Sequence, residues 1–193
     1  MFRSLFILFF MTVLTGCSST PSQFYVLTEI PPYQVRPLAI NESSTIGLGP
    51  IEFPKYLDQP QIVIRKTQNK LDMNEFHRWA EPLDENTRRV LRNNLSNLLK
   101  SSRVVMYPWR HSDKVDYQIR VDITRFDSDE CGNVILMARW QILDSDDKEV
   151  LSTHTRTYRE CICQKYNYDD LARTMSNLLA RFSRDLALGI QKV

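Results

Sequence analysis

Tyr117-Gln118-Ile119-Arg120-Val121-Asp122-Ile123-Thr124 is the stretch that sets the fold. Apolar and polar side chains alternate along it, and a period of two sends each set to its own face of a β-strand. One face is therefore buried and the other wet, as in a sheet covered on a single side. Two longer strand-like runs follow, Asn133 to Leu143 and Glu149 to Arg159, joined by the polar hairpin turn Asp144-Ser145-Asp146-Asp147-Lys148. Upstream, Phe24-Tyr25-Val26-Leu27, Ile46 to Phe53, Gln61 to Lys66 and Lys70 to Phe76 read as further strands, the last two turning at Gln68-Asn69. Val104 to Tyr107 is another, stopped by Pro108. Residues 29–44 carry Pro31, Pro32 and Pro37 and read as a loop.

Two segments follow the helical period instead. Leu91, Leu95, Leu98 and Leu99 fall at i, i+4, i+7 and i+8, one apolar stripe. Trp79-Ala80-Glu81-Pro82-Leu83 opens that helix, with Pro82 suited to the first turn and Asp84 and Glu85 favourable at its positive end. Leu171, Met175, Leu178, Leu179, Phe182 and Leu186 mark a second amphipathic helix, capped by Asn167 with Asp169 and Asp170 in its first turn. The order strands, helix, strands, helix predicts an α+β single domain, a largely antiparallel or mixed sheet with two amphipathic helices packed on it.

Composition narrows the function. A net charge of +2 over 193 residues lacks the strongly basic face of a nucleic-acid binder. The histidines His77, His111 and His154 are scattered without metal-ligand spacing and read as surface or turn residues. No nucleophile elbow, zinc-protease helix motif or phosphate loop is present, and Gly47-Leu48-Gly49 lacks a third glycine. Asp127-Ser128-Asp129-Glu130 and Asp144 to Asp147 read as solvated acidic turns, without the glycine and distal glutamate of a calcium loop. An enzyme, a metal site or a cofactor is therefore not expected.

The N-terminus supplies geography. Arg3 precedes an apolar run, Leu5 to Leu14, too short for a comfortable membrane span, and Leu14-Thr15-Gly16-Cys17 follows. The order of charge, apolar run, small residues and cysteine resembles a bacterial lipobox. Residues 1–16 would then be a signal peptide and Cys17 the lipidated first residue, carrying acyl chains such as palmitate on its sulfur and amine. Several chains hold a protein stably where one does not. Ser18, not Asp, follows the cysteine, which by resemblance to lipoprotein sorting implies the periplasmic face of the outer membrane. Residues 17–23 form the tether; six residues from Ser18 to Gln23 reach at most about 20 Å. Residues 24–193 form the domain, which cannot cross a periplasm and needs a distant partner to come to it.

Cys131, Cys161 and Cys163 remain, in an oxidising compartment. If Leu143 pairs with Glu149, paired residue numbers sum to 292 and Cys131 faces Cys161, close enough for a disulfide. Cys163 is then left over. The rival, a metal site from these cysteines with His154, has poor ligand spacing.

Three segments together, Phe24-Tyr25-Val26-Leu27 soon after a lipobox, Pro54-Lys55-Tyr56-Leu57-Asp58-Gln59-Pro60-Gln61-Ile62-Val63 and Trp79-Ala80-Glu81-Pro82-Leu83, with a terminal amphipathic helix, resemble the PqiC-type lipoproteins, auxiliary components of ABC-type and MCE-type transport systems. The resemblance spans nearly the whole mature chain. It implies a part in lipid transport between the two membranes and in envelope integrity. The partners it implies are an MCE-domain periplasmic tunnel protein, whose far end the lipoprotein docks at the outer membrane, and that protein's inner-membrane partner. It also favours a homo-oligomer, to match a ring. Tyr56, Leu57 and Trp79 are the candidate partner-binding residues, because aromatics are enriched at interfaces. Two other classes stay open: a lipoprotein that assembles or plugs another outer-membrane machine, and a periplasmic lipid-binding carrier.

Overall fold

The structure is a computed structural model that describes residues 20–38, 44–100, 102–110, 112–144, 149–162 and 167–193. The lipobox with Cys17, as well as His111, Cys163 and residues 145–148 of the hairpin turn, lies outside the described residues.

Eight strands form one mixed sheet: β1 (Gln23–Tyr25), β2 (Thr45–Glu52), β3 (Gln61–Arg65), β4 (Leu71–Trp79), β5 (Arg103–Met106), β6 (Tyr117–Asp129), β7 (Asn133–Asp144) and β8 (Val150–Cys161). Two helices, α1 (Leu83–Leu98) and α2 (Tyr168–Gln191), complete the α+β domain. The long strands β6, β7 and β8 run antiparallel. On its other side β6 is long enough to take two partners in parallel, β2 along its first half and β3 at its end. Beyond them lie β5, parallel to β2, and β4 and β1, themselves a parallel pair. The short strands supply the parallel pairings, which no local alternation specifies.

The decisive stretch behaves as its period requires. Ile119, Val121 and Ile123 are buried while Arg120 and Asp122 are exposed. On β7, Val134, Leu136, Ala138, Trp140 and Ile142 face the core and Met137 and Arg139 do not. The helices cover that inner face: α2 touches β6, β7 and β8, and α1 packs against α2 and β5. Leu91, Leu95, Leu98 and Leu99 of the α1 stripe are all buried, and so are the six apolar residues expected on α2. Asn167 caps α2 as its sequence promised, its side chain accepting from the Asp170 backbone N–H at 2.7 Å.

β6 runs five residues past Thr124 because a bulge between Ile123 and Arg125 resets the alternation. Phe126 then points into the core, and Asp127 and Ser128 are buried as well. Asp127 is thus a strand residue and not part of a solvated turn. The real turn is Asp129 to Asn133. The Asp129 carboxylate accepts from the backbone N–H groups of Cys131 and Asn133, and Gly132 takes the left-handed conformation at φ 80°.

That turn corrects the cysteine pairing. Cys131 sits in the turn, before the β7 ladder begins, and Cys161 pairs with Asn133. Leu143 pairs with Val150 instead of Glu149, and a bulge beside it adds another residue, so Ile142 meets Ser152 and paired numbers sum to 294 along most of the hairpin. No disulfide joins Cys131 to Cys161; both are exposed.

Candidate functional site

Two of the segments that carry the family resemblance meet in space. Pro54, extended at φ −63° and ψ 133°, leads into a single 3₁₀ turn over Lys55–Leu57. The turn splits two neighbouring side chains: Leu57 enters the core, and Tyr56 lies half-buried on the sheet.

Tyr56 ends on a buried carboxylate. Its hydroxyl donates to Asp127 Oδ2 at 3.0 Å, the same oxygen that Arg65 reaches with Nη2 at 2.9 Å and Nε at 3.2 Å. Arg125 Nε donates to Oδ1 at 2.7 Å. The Asp127 side chain is 0% exposed, so every contact is made away from water. The Arg65 guanidinium also lies 5.4 Å from the centre of the Tyr56 ring and donates to the Gln68 carbonyl in the β3–β4 turn. Burial, and then the Asp127 charge, push the Tyr56 phenol up to about 12. This cluster bolts the 54–58 turn to the far half of β6.

The second segment is a junction. Trp79 closes β4 and donates its backbone N–H to the Pro60 carbonyl at 2.7 Å; Ala80 donates to the Tyr25 carbonyl at 2.9 Å. Pro82 precedes the helix, and its carbonyl accepts from Asn86 at 2.9 Å. Glu81 accepts from the Asn86 side chain and, at 2.6 Å, from Arg89. Asn86, so oriented, accepts the Leu27 backbone N–H at 2.5 Å. One helical stripe further on, Asn94 accepts from the Ile30 N–H at 2.8 Å and donates to Ser183 of α2 at 3.0 Å, while Ser176 accepts from Thr28. Residues 26–30 therefore form a strap threaded between the helices, with Leu27 and Ile30 buried.

Between the two segments runs a groove of about 250 Å³. Leu57, Pro60, Trp79 and Pro82 are among its apolar lining, with the carboxylates of Asp58 and Glu81 beside them. Of the three residues expected to touch a partner, Leu57 and Trp79 are 4% and 5% exposed and belong to the core. Tyr56 is committed to Asp127. The structure brings all three to one region, but as its foundation.

His154 is an exposed surface residue, as expected, and His77 is half-buried. His77 stacks on Tyr168 with ring centres 3.8 Å apart, and its Nδ1 lies 2.8 Å from the Tyr25 hydroxyl. His154 stacks on Trp140 across the β7–β8 ladder at 5.2 Å. Among the described residues no three His, Cys, Asp or Glu side chains are placed to hold a metal ion.

The sequence reading missed Asp127, Arg65, Asn86 and Asn94. A signal existed for the asparagines: they sit at i and i+8 on the apolar stripe of α1, where a polar residue has to find a partner.

Comparison with known proteins adds a family and a fold. The family described as ABC-type transport auxiliary lipoprotein component matches residues 25–187. Among solved structures, the chain is similar to protein XCC0632 from Xanthomonas campestris, at 18% identity and a TM-score of 0.74, over 88% of this chain and 95% of that one. A protein described only as uncharacterized is similar at 20% identity and a TM-score of 0.72, over 89% and 99% of the two chains. At those identities the likeness is one of fold. No curated protein matches the chain.

Proposed function

This chain belongs to the family of ABC-type transport auxiliary lipoprotein components, and we propose that it serves an MCE-type lipid transport system at the outer membrane. It is anchored on the periplasmic face through acyl chains on Cys17 and docks the far end of a periplasmic MCE-domain tunnel protein, whose inner-membrane partner lies across the gap. It acts without catalysis and without a cofactor, as a homo-oligomer matching a ring-shaped tunnel.

The observation that carries this reading is the family match across nearly the whole domain, with the short leash beside it. Five residues between Cys17 and the first strand keep the domain within about 20 Å of its anchor. A module so confined contributes to transport by receiving something long. No described helix is long and apolar enough to cross a membrane; the family this chain belongs to is one of lipoproteins.

A docking partner would meet the rim of the groove, at Gln59, Ala80 and Glu81, while Leu57 and Trp79 hold the floor rigid. In-cell crosslinking followed by purification of the lipoprotein tests this. Recovery of an MCE-domain protein, reduced several-fold by Gln59→Arg with Ala80→Arg, supports docking at the groove. Recovery of a phospholipid-loaded monomer with no protein partner would support a carrier instead.

A further inference from the structure

Exposed apolar residues gather beside the first strand, and the strand register shows how they are placed. β1 pairs with β4 so that Phe24 meets Arg78 and Tyr25 meets Trp79. Tyr25 and His77, a residue and the position two before its partner, stack with ring centres 5.7 Å apart on the inner face. Phe24 turns to the outer face, and the second member of an outer pair, Phe76, sits one residue before the paired stretch His77–Trp79, where β4 bulges against β3. The inner pair is closed over by Tyr168 of α2. The outer pair is left open, with Phe24 64% and Phe76 43% exposed. Val26, the next outward residue after Phe24, is 46% exposed.

The neighbouring charges are mutually satisfied. Glu75 accepts from Arg78 Nη2 at 2.9 Å and from the Gln61 amide at 3.1 Å. Bulky aromatics bordered by a neutralised polar cluster suit the interfacial layer of a bilayer, where amphipathic surfaces with aromatic rings settle.

Chain length selects the occupant. A domain of this size is about 40 Å across. The leash from Cys17 to Phe24 reaches only about 20 Å. The edge of the sheet that carries β1 must stay beside the bilayer, and β8, the opposite edge, cannot take its place.

We propose that Phe24, Val26 and Phe76 form a lipid-contacting face that rests on the headgroup region of the membrane holding the anchor. The face fixes which way the tethered domain points. It rests on the lipid anchor at Cys17 proposed above. Without such a face the domain would be free to rock about its attachment; with it, one edge is held down and the rest of the sheet is presented to the periplasm.

A photoreactive benzoyl-phenylalanine replacing Phe24, Phe76 or, as a control, Val150 on β8 tests the proposal in the full-length lipidated protein in native membranes. On irradiation the probes at 24 and 76 should form adducts with phospholipid, detected by mass and removed by phospholipase, at least tenfold more than the probe at 150. Adducts at 24 and 76 with a second copy of the chain or with another protein would overturn it, as would equal lipid labelling at all three positions or none at any. Fractionating the same samples separates the two claims. Protein recovered from the aqueous fraction refutes the anchor, whereas membrane-bound protein with unlabelled probes refutes the face alone. Phe24→Ser with Phe76→Ser should leave the protein membrane-bound and folded while raising protease access to Gln23 several-fold; unchanged access would also count against the face.

Discussion

Asp127 is the side chain on which the local architecture turns. A carboxylate with no exposed side-chain area is stable as an anion only with charged partners, and it has two guanidiniums and a phenol. Removing it strands Arg65 and Arg125. Asp127→Ala is expected to cost about 3–5 kcal/mol, read by urea unfolding, the range for breaking one side of a buried ion pair. Tyr56→Phe removes one donor from a buried acceptor and should cost about 1–3 kcal/mol. The phenol also carries a pH signature. Its folded value is raised from 10.0 to about 12, because phenolate is disfavoured by burial and by Asp127. A group raised on folding stabilises fully below its unfolded value and loses that contribution as pH climbs through the folded one. The stability of the wild type should therefore fall more steeply than that of Tyr56→Phe between pH 10 and 12. Parallel curves would show that the phenol does not titrate with folding. None of this was legible in the sequence: Asp127 stands in an acidic run, the bulge at Thr124 sets it on the face opposite Phe126, and only the 54–58 turn and Arg65, distant in sequence, bury it there.

At the scale of elements, alternation and helical period were legible wherever they were unbroken, as in the first half of β6 and in both helices. They failed where one extra residue entered a strand. The β7–β8 hairpin shows why: one added residue at its turn and one in a bulge shift the ladder by two and separate Cys131 from Cys161. Non-reducing peptide mapping should find no peptide linking Cys131 to Cys161. Such a peptide would mean that the ladder slips by two residues in solution. The strap 26–30 was hidden for another reason. Tyr25 and Leu27 point inward as strand residues would, but the backbone beyond Tyr25 bonds to asparagine and serine side chains of the helices and not to a neighbouring strand. Asn94→Ala orphans the Ile30 N–H and should cost about 1–3 kcal/mol. Hydrogen exchange at Ile30 should accelerate before the sheet amides respond; uniform acceleration would show that the strap opens only with the whole domain.

The whole molecule joins a wet-faced sheet, two covering helices and a short N-terminal leash. The strap lies directly behind β1, so the chain that follows the leash is held first by the β1–β4 pairing and then between α1 and α2. The groove and the exposed aromatics share that end of the molecule: Ala80, in the lining of the groove, bonds to Tyr25, the neighbour of Phe24. Family membership and the fold's helical cover could be read from motifs and periodicity, since both are local in sequence. The groove could not, because its two walls lie about twenty residues apart and meet only through the β3–β4 pairing. The central claim is that an acylated Cys17 holds this domain at the outer membrane, and density-gradient separation of the two membranes tests it most directly. Wild-type protein should band with the outer membrane, and Cys17→Ala should move to the soluble periplasmic fraction while keeping its fold. Wild-type protein in the soluble fraction, or Cys17→Ala still banding with the outer membrane, would contradict the account.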